Sequence, residues 1–126
     1  MATAFGFAKA ARLLTPADFK YVFDAAALKI SSKEVLILAR ANAGDRPRLG
    51  LVVAKKHVRL AHQRNRVKRI ARESFRHQPQ LGGWDVIVLA RGGIAALDNP
   101  ALRGQFDQLW QQLRRKAARL GAAPSC

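Results

Sequence analysis

Apolar residues along this chain recur with two different periods, and the period switches mark the elements. Phe19, Val22, Phe23 and Ala26 stand three or four apart, the spacing of one helical face. Thr15-Pro16-Ala17-Asp18 lies just before them. Thr15 suits the cap, Pro16 the first helical position, and Asp18 the positive field of the N-terminus. These features predict a helix over 16–27. Glu34 to Ala41 then reads as a strand around Val35-Leu36-Ile37-Leu38-Ala39, and Asn42-Ala43-Gly44-Asp45 is turn chemistry. Leu49-Gly50-Leu51-Val52-Val53-Ala54 is a second strand, so the two are expected to form an antiparallel hairpin. Lys55 to Arg59 leaves the sheet.

The period returns to helical at Val67, Ile70, Ala71 and Ser74, with Phe75 widening the face. A helix over 60–77 follows, with Pro79 beyond its end. Gly82-Gly83 breaks the chain before Trp84-Asp85-Val86-Ile87-Val88-Leu89-Ala90, a third strand apolar enough to be buried on both faces. Gly92-Gly93 closes it. Asp98-Asn99-Pro100 starts a last helix whose apolar face is Leu102, Phe106, Leu109, Trp110 and Leu113. Residues 1–11 and 120–126 are expected to fray. The order is α-β-β-α-β-α in a single domain spanning 1–126, an α+β or α/β sandwich with a small mixed sheet and three helices. A helix between the second and third strands implies parallel pairing somewhere in the sheet. The general rule for such a crossover is right-handed.

Charge changes the picture more than composition does. The 126 residues carry 23 Lys and Arg against 8 acids, a net charge of +15. Self-repulsion of that size usually reports a polyanionic partner. Nine of the cations fall within residues 55–76, with one Glu. Arg64, Lys68, Arg72 and Arg76 are four apart and define a cationic ridge on the basic helix. One Glu cannot pair so many cations, so the ridge is read as a phosphate-binding face rather than a solvated one. Guanidinium groups suit that role because their planar forks donate two parallel hydrogen bonds. Asn65 is open between contact, local cap and loop support.

Other chemistry is sparse. The acids are scattered, whereas a two-metal nuclease needs several converging on one spot. The single cysteine, Cys126, and three His give no zinc set and no disulfide within the chain, which fits a reducing compartment. No apolar run is long enough to span a membrane, and Met1 to Phe7 is too short for a signal peptide. A cytoplasmic location is expected. Phe19 and Phe23, one turn apart, are either core residues or a stacking surface for unpaired bases. Trp84 and Trp110 read as core.

Several of these patterns occur together in one known family. Arg12-Leu13-Leu14-Thr15-Pro16-Ala17-Asp18-Phe19, Arg48-Leu49-Gly50-Leu51-Val52-Val53-Ala54-Lys55-Lys56, Ala61-His62-Gln63-Arg64-Asn65-Arg66-Val67-Lys68-Arg69, Arg72-Glu73-Ser74-Phe75-Arg76 and Asp85-Val86-Ile87-Val88-Leu89-Ala90-Arg91 follow in order. Over residues 12–115 the chain resembles the protein component of bacterial ribonuclease P. The resemblance implies an α/β sandwich with a left-handed βαβ crossover, against the general rule. It implies a subunit of the holoenzyme that removes the 5′ leader of precursor tRNA. The reaction is carried out by a catalytic RNA with Mg2+, and no metal site is expected on the protein. Partners would be that RNA, in 1:1 ratio, and precursor tRNA.

Matched residue by residue, Arg64, Asn65, Arg66, Lys68, Arg69 and Arg72 are similar to the family's contacts to the catalytic RNA. Phe19, Phe23, Lys55, Lys56, Arg59 and Arg91 are similar to the positions lining the leader groove. Either Leu36 or Ile37 would floor that groove. The competing reading is a ribosomal or general structured-RNA-binding protein, which shares the charge and size but not the combination of motifs.

Overall fold

The computed structural model describes residues 16–42, 47–77 and 83–125, and the side chains within these spans except at positions 16, 18, 19, 25 and 120–125. Helix α1 spans Pro16–Ala25 and is followed by strands β1 (Leu28–Ser31), β2 (Val35–Ala41) and β3 (Arg48–Val52). Helix α2 (Ala61–Arg76), strand β4 (Trp84–Ala90), a 3-10 turn (Ile94–Ala96) and helix α3 (Asn99–Ser125) complete the order. The four strands form one mixed sheet in the order β1-β2-β4-β3.

Two expectations change here. Strand β1 has no counterpart in the sequence pattern, because only Leu28 and Ile30 mark its buried side while Lys29 and Ser31 are exposed. Two apolar positions are too few to show a period. Strands β2 and β3 also do not form the expected hairpin. Strand β4 lies between them, antiparallel to β2 from Val35↔Ala90 to Ala41↔Trp84 and parallel to β3 from Arg48↔Asp85 to Val52↔Leu89. The reason is burial: six of the seven β4 residues are buried, so this strand takes the centre of the sheet and leaves the flanking places to less apolar strands. The parallel β3-α2-β4 unit is the crossover that the element order implied.

The pleat sorts side chains onto two faces. Val35, Ile37 and Ala39 of β2, with Val86 and Val88 of β4, join Val67, Ile70 and Phe75 of α2 and Leu102, Phe106, Trp110 and Leu113 of α3 in the main core. Trp110 is its anchor, edge-on to Phe75 at 5.2 Å, stacked on Phe106 at 6.0 Å, and donating from Nε1 to Ser74 Oγ at 2.7 Å. That bond satisfies the buried serine, which in turn donates to the Ala71 carbonyl. Helix α3 starts as expected, with Asp98 Oδ1 accepting from the Ala101 amide at 2.9 Å. Among the described residues, α1 is the one helix on the other face. Its Val22 is fully buried with Ile87, and Leu38, Val52 and Leu89 pack beside them half-buried.

Candidate nucleic-acid interface

The face under α1 is apolar at one end and charged at the other. Leu36 pairs with Leu89, and Leu89 with Val52, giving an apolar row across β2, β4 and β3. Leu36 therefore belongs to this surface, while Ile37 is sealed in the main core on the opposite side. Val22 holds α1 against the sheet. At about 100° per residue, Tyr21 and Phe23 leave the helix on opposite flanks of Val22. Phe23 is 45% exposed, so its ring is a surface and not a core element. The side chain of Phe19 lies outside the described residues.

The chain leaves the apolar row toward cations. Strand β3 runs on into Lys55 and Lys56, both exposed, and β4 into half-buried Arg91. Arg91 donates from Nη1 to the Ser32 carbonyl at 3.1 Å, and its amide donates to the Glu34 carbonyl at 2.8 Å. That residue thus ties the end of β4 to the turn before β2, with its other guanidinium donors open among the described residues. A tight turn follows Ala54, whose carbonyl accepts from the His57 and Val58 amides. Fully buried Val58 pins this loop, leaving Arg59 exposed.

Helix α2 is placed by its buried face of Val67, Ile70, Ala71, Ser74 and Phe75. Its basic residues divide by their angle to that face. Arg64 lies close to it and folds back, Nη1 donating to the carbonyls of Val58 at 3.0 Å and Arg59 at 2.8 Å. Arg66 turns toward α3. It donates from Nε to Gln63 Oε1 at 2.8 Å, from Nη1 to Asn99 Oδ1 at 2.8 Å and from Nη2 to the Ala95 carbonyl at 3.2 Å. Both arginines position the helix. The outermost stripe is instead His62, Asn65, Arg69 and Arg76, all exposed, at intervals of three, four and seven. The expected ridge of Arg64, Lys68, Arg72 and Arg76 thus starts beside the core and climbs to solvent. The first three are half-buried and only Arg76 is exposed. Lys55, Lys56, Arg59, Asn65, Lys68 and Arg69 have no side-chain hydrogen bond or ion pair among the described residues.

Asn65 makes no cap contact. The α2 N-cap position is Leu60, which is 57% exposed and offers no side-chain acceptor. The first turn holds no acid, so the positive end of the helix adds to the field of Lys55, Lys56 and Arg59. Among the described residues no three His, Cys, Asp or Glu come close enough to hold a metal ion. The sheet's interior acid, Asp85, is engaged otherwise. It is 3% exposed and accepts from Arg48 Nε at 2.8 Å, Arg48 Nη2 at 2.7 Å and Asn42 Nδ2 at 2.8 Å. This cluster is absent from the residues singled out by sequence pattern. A lone acid inside a buried strand is the signal that a cation must face it.

A cleft of about 350 Å3 lies between the C-terminal turns of α2 and the first turns of α3, lined by Glu73, Ser74, Arg76, His77, Arg103 and Asp107. Glu73 and Arg103 pair across it at 3.3 Å. Its mixed charge contrasts with the one-signed surface around Lys55 and Arg69.

Comparisons with known proteins agree on one family. The model of the ribonuclease P family matches residues 7–114. The ribonuclease P protein component of Stutzerimonas stutzeri is 52% identical over 120 residues, 94% of this chain and 92% of that relative. That of Pseudomonas aeruginosa is 55% identical over 109 residues, 86% of this chain and 81% of the relative. The solved RNase P protein of Staphylococcus aureus superposes with a TM-score of 0.76 at 27% identity, covering 82% of this chain and 94% of that one. The RNase P protein of Thermotoga maritima gives 0.68 at 29% identity, covering 79% and 96%.

Proposed function

The chain belongs to the ribonuclease P protein family, and on that premise we propose that it acts as the protein subunit of the holoenzyme that removes the 5′ leader from precursor tRNA. The catalytic RNA and its bound Mg2+ perform the hydrolysis. The protein supplies affinity and orientation as a single RNA-binding domain, one copy per RNA, in the cytoplasm. The scarcity of converging acids among the described residues is consistent with that division of labour.

Two surfaces share the work. The outer side of α2, with Asn65, Lys68, Arg69 and Arg72, meets phosphates of the catalytic RNA. Arg64 and Arg66 hold the helix and its preceding loop in register for that contact. On the other side of the sheet, the leader runs along α1. Phe19 and Phe23 offer rings for unpaired bases, and Lys55, Lys56, Arg59 and Arg91 offer donors to its phosphates. The observation that carries the reading is the exposure of Phe23 beside an apolar sheet row that ends in exposed lysines. A core phenylalanine would be buried, and a generic phosphate-binding surface needs no ring. Stacking of one base on such a ring is worth roughly 1–3 kcal/mol by truncation.

The test is precursor-tRNA cleavage at low magnesium and moderate salt, with protein alone, cognate catalytic RNA alone, and both together. Strong cleavage only in the mixture supports the proposal. Cleavage by nuclease-treated protein alone would move the active site onto the protein. Tight RNA binding without stimulation would leave a general RNA-binding domain.

A further inference from the structure

The flank of α1 that faces away from Phe23 is also built. Tyr21 leaves the helix there, is 51% exposed, and has the Arg40 guanidinium 3.8 Å from its ring centroid. Arg40 stands at the charged end of the sheet face, directly across from Asp85. A carboxylate so placed would ordinarily take the arginine. Here both its oxygens are occupied by Arg48, and Asn42 donates to one of them as well. Among the described residues Arg40 has no carboxylate partner and no side-chain hydrogen bond, and its one ring contact is with Tyr21. The result is a planar cation held over an aromatic ring, with its N–H donors unused among the described residues and Tyr21 half open to solvent.

That combination fits an unpaired nucleotide. The exposed ring provides a stacking platform, the guanidinium adds cation–π attraction, and its free donors match a phosphate. We propose that Tyr21 and Arg40 form a second nucleotide station, which takes a base of the precursor leader a few nucleotides away from the part lying along Phe23. This rests on the leader reading above. The leader is the occupant because Tyr21 lies on the same sheet face as Phe23. The exposed stripe of α2 belongs to the opposite layer, where α2 and α3 pack. The two rings leave opposite flanks of a helix, an element about 10–12 Å wide with side chains, a width that a few nucleotides of single strand span.

The experiment uses holoenzyme assembled with the cognate catalytic RNA, and precursors whose leaders are shortened one nucleotide at a time. Dissociation constants are compared for the wild type, Phe23→Ala, Tyr21→Ala, Tyr21→Phe and Arg40→Gln. Tyr21→Ala is expected to weaken long-leader precursors about fivefold or more and to match the wild type below a threshold length. That threshold differs by a few nucleotides from the one at which Phe23→Ala begins to weaken binding. Tyr21→Phe keeps the ring and binds as the wild type, whereas Arg40→Gln reproduces a length-dependent loss. Unchanged binding by Tyr21→Ala and Arg40→Gln at every length overturns the station. A loss independent of length, together with weaker binding of the catalytic RNA alone, overturns the leader assignment. Failure of the wild type itself to show any leader dependence would sink the leader reading of the Phe23 flank instead.

Discussion

Two adjacent residues of α1 stand in opposite environments at the scale of side chains, one buried and one proposed for recognition. Val22 is fully buried and Phe23 next to it is 45% exposed. Val22→Ala should cost about 2 kcal/mol, from the methyl groups removed and the space left against Ile87. Phe23→Ala should leave the melting temperature near the wild-type value. It should still weaken long-leader precursors by about 5- to 100-fold, the range that one stacked base supports. Thermal melts and leader-dependent binding on both variants check this pair. A Phe23→Ala protein that melts early and binds short and long leaders equally poorly would return the ring to the core. The basic residues divide in the same way. Arg66 commits three donors to Gln63, Asn99 and the Ala95 carbonyl, so its identity cannot be separated from the seating of α2 on the 3-10 turn.

At the scale of the element, the inward cations of α2 bond within the fold and its outward ones are proposed to meet RNA. Removing one phosphate-binding cation lowers the slope of log affinity against log salt by roughly 0.7–0.9. Lys68→Ala with Arg69→Ala should therefore flatten that slope by about 1.5 with a melting temperature no lower than the wild type's, because neither side chain has an intramolecular partner among the described residues. Arg66→Ala should instead lower stability by about 1–3 kcal/mol, as three acceptors are deprived of a charged donor, and Arg66→Lys should not restore three bonds at fixed angles. Salt titrations of catalytic-RNA binding, paired with melts, distinguish the two outcomes. The helix itself is plain in the sequence, since Val67, Ile70, Ala71 and Ser74 define its buried side. The tilt of the basic ridge is not, because a four-residue interval drifts about 40° per step around a helix of 3.6 residues per turn. Arg64 and Arg76 thus end on different sides. Strand order is illegible for a related reason. Periodicity reports which side of a strand is buried, and it says nothing about which neighbour lies beside it. Only the nearly all-apolar run of β4, interrupted by Asp85 alone, hints that it sits between β2 and β3.

At the scale of the whole molecule, the charge of +15 sets opposite demands on the free and the bound protein. Lys55, Lys56, Arg59, Lys68 and Arg69 repel one another across short loops and one helix face, with no acid among them. Few acids elsewhere offset this, and the described ones are partly committed: Asp85 to Arg48, Asp24 to Lys20 and Glu73 to Arg103. The screening length shrinks to about 10 Å at 0.1 M salt, so added salt relieves the repulsion and should raise the melting temperature of the free protein. Bound RNA relieves the same repulsion directly. Binding to the native state alone stabilises by about 2.7 kcal/mol when the RNA is at 100 times its dissociation constant. The same salt that helps the free protein dissociates the complex by restoring counterions to the phosphates. Melting temperature plotted against salt should therefore rise for the protein alone and fall for the protein with catalytic RNA, until the two curves meet. Parallel curves would mean that the excess charge is not what the RNA neutralises, and that the cations around Lys55 and Arg69 serve solubility rather than assembly.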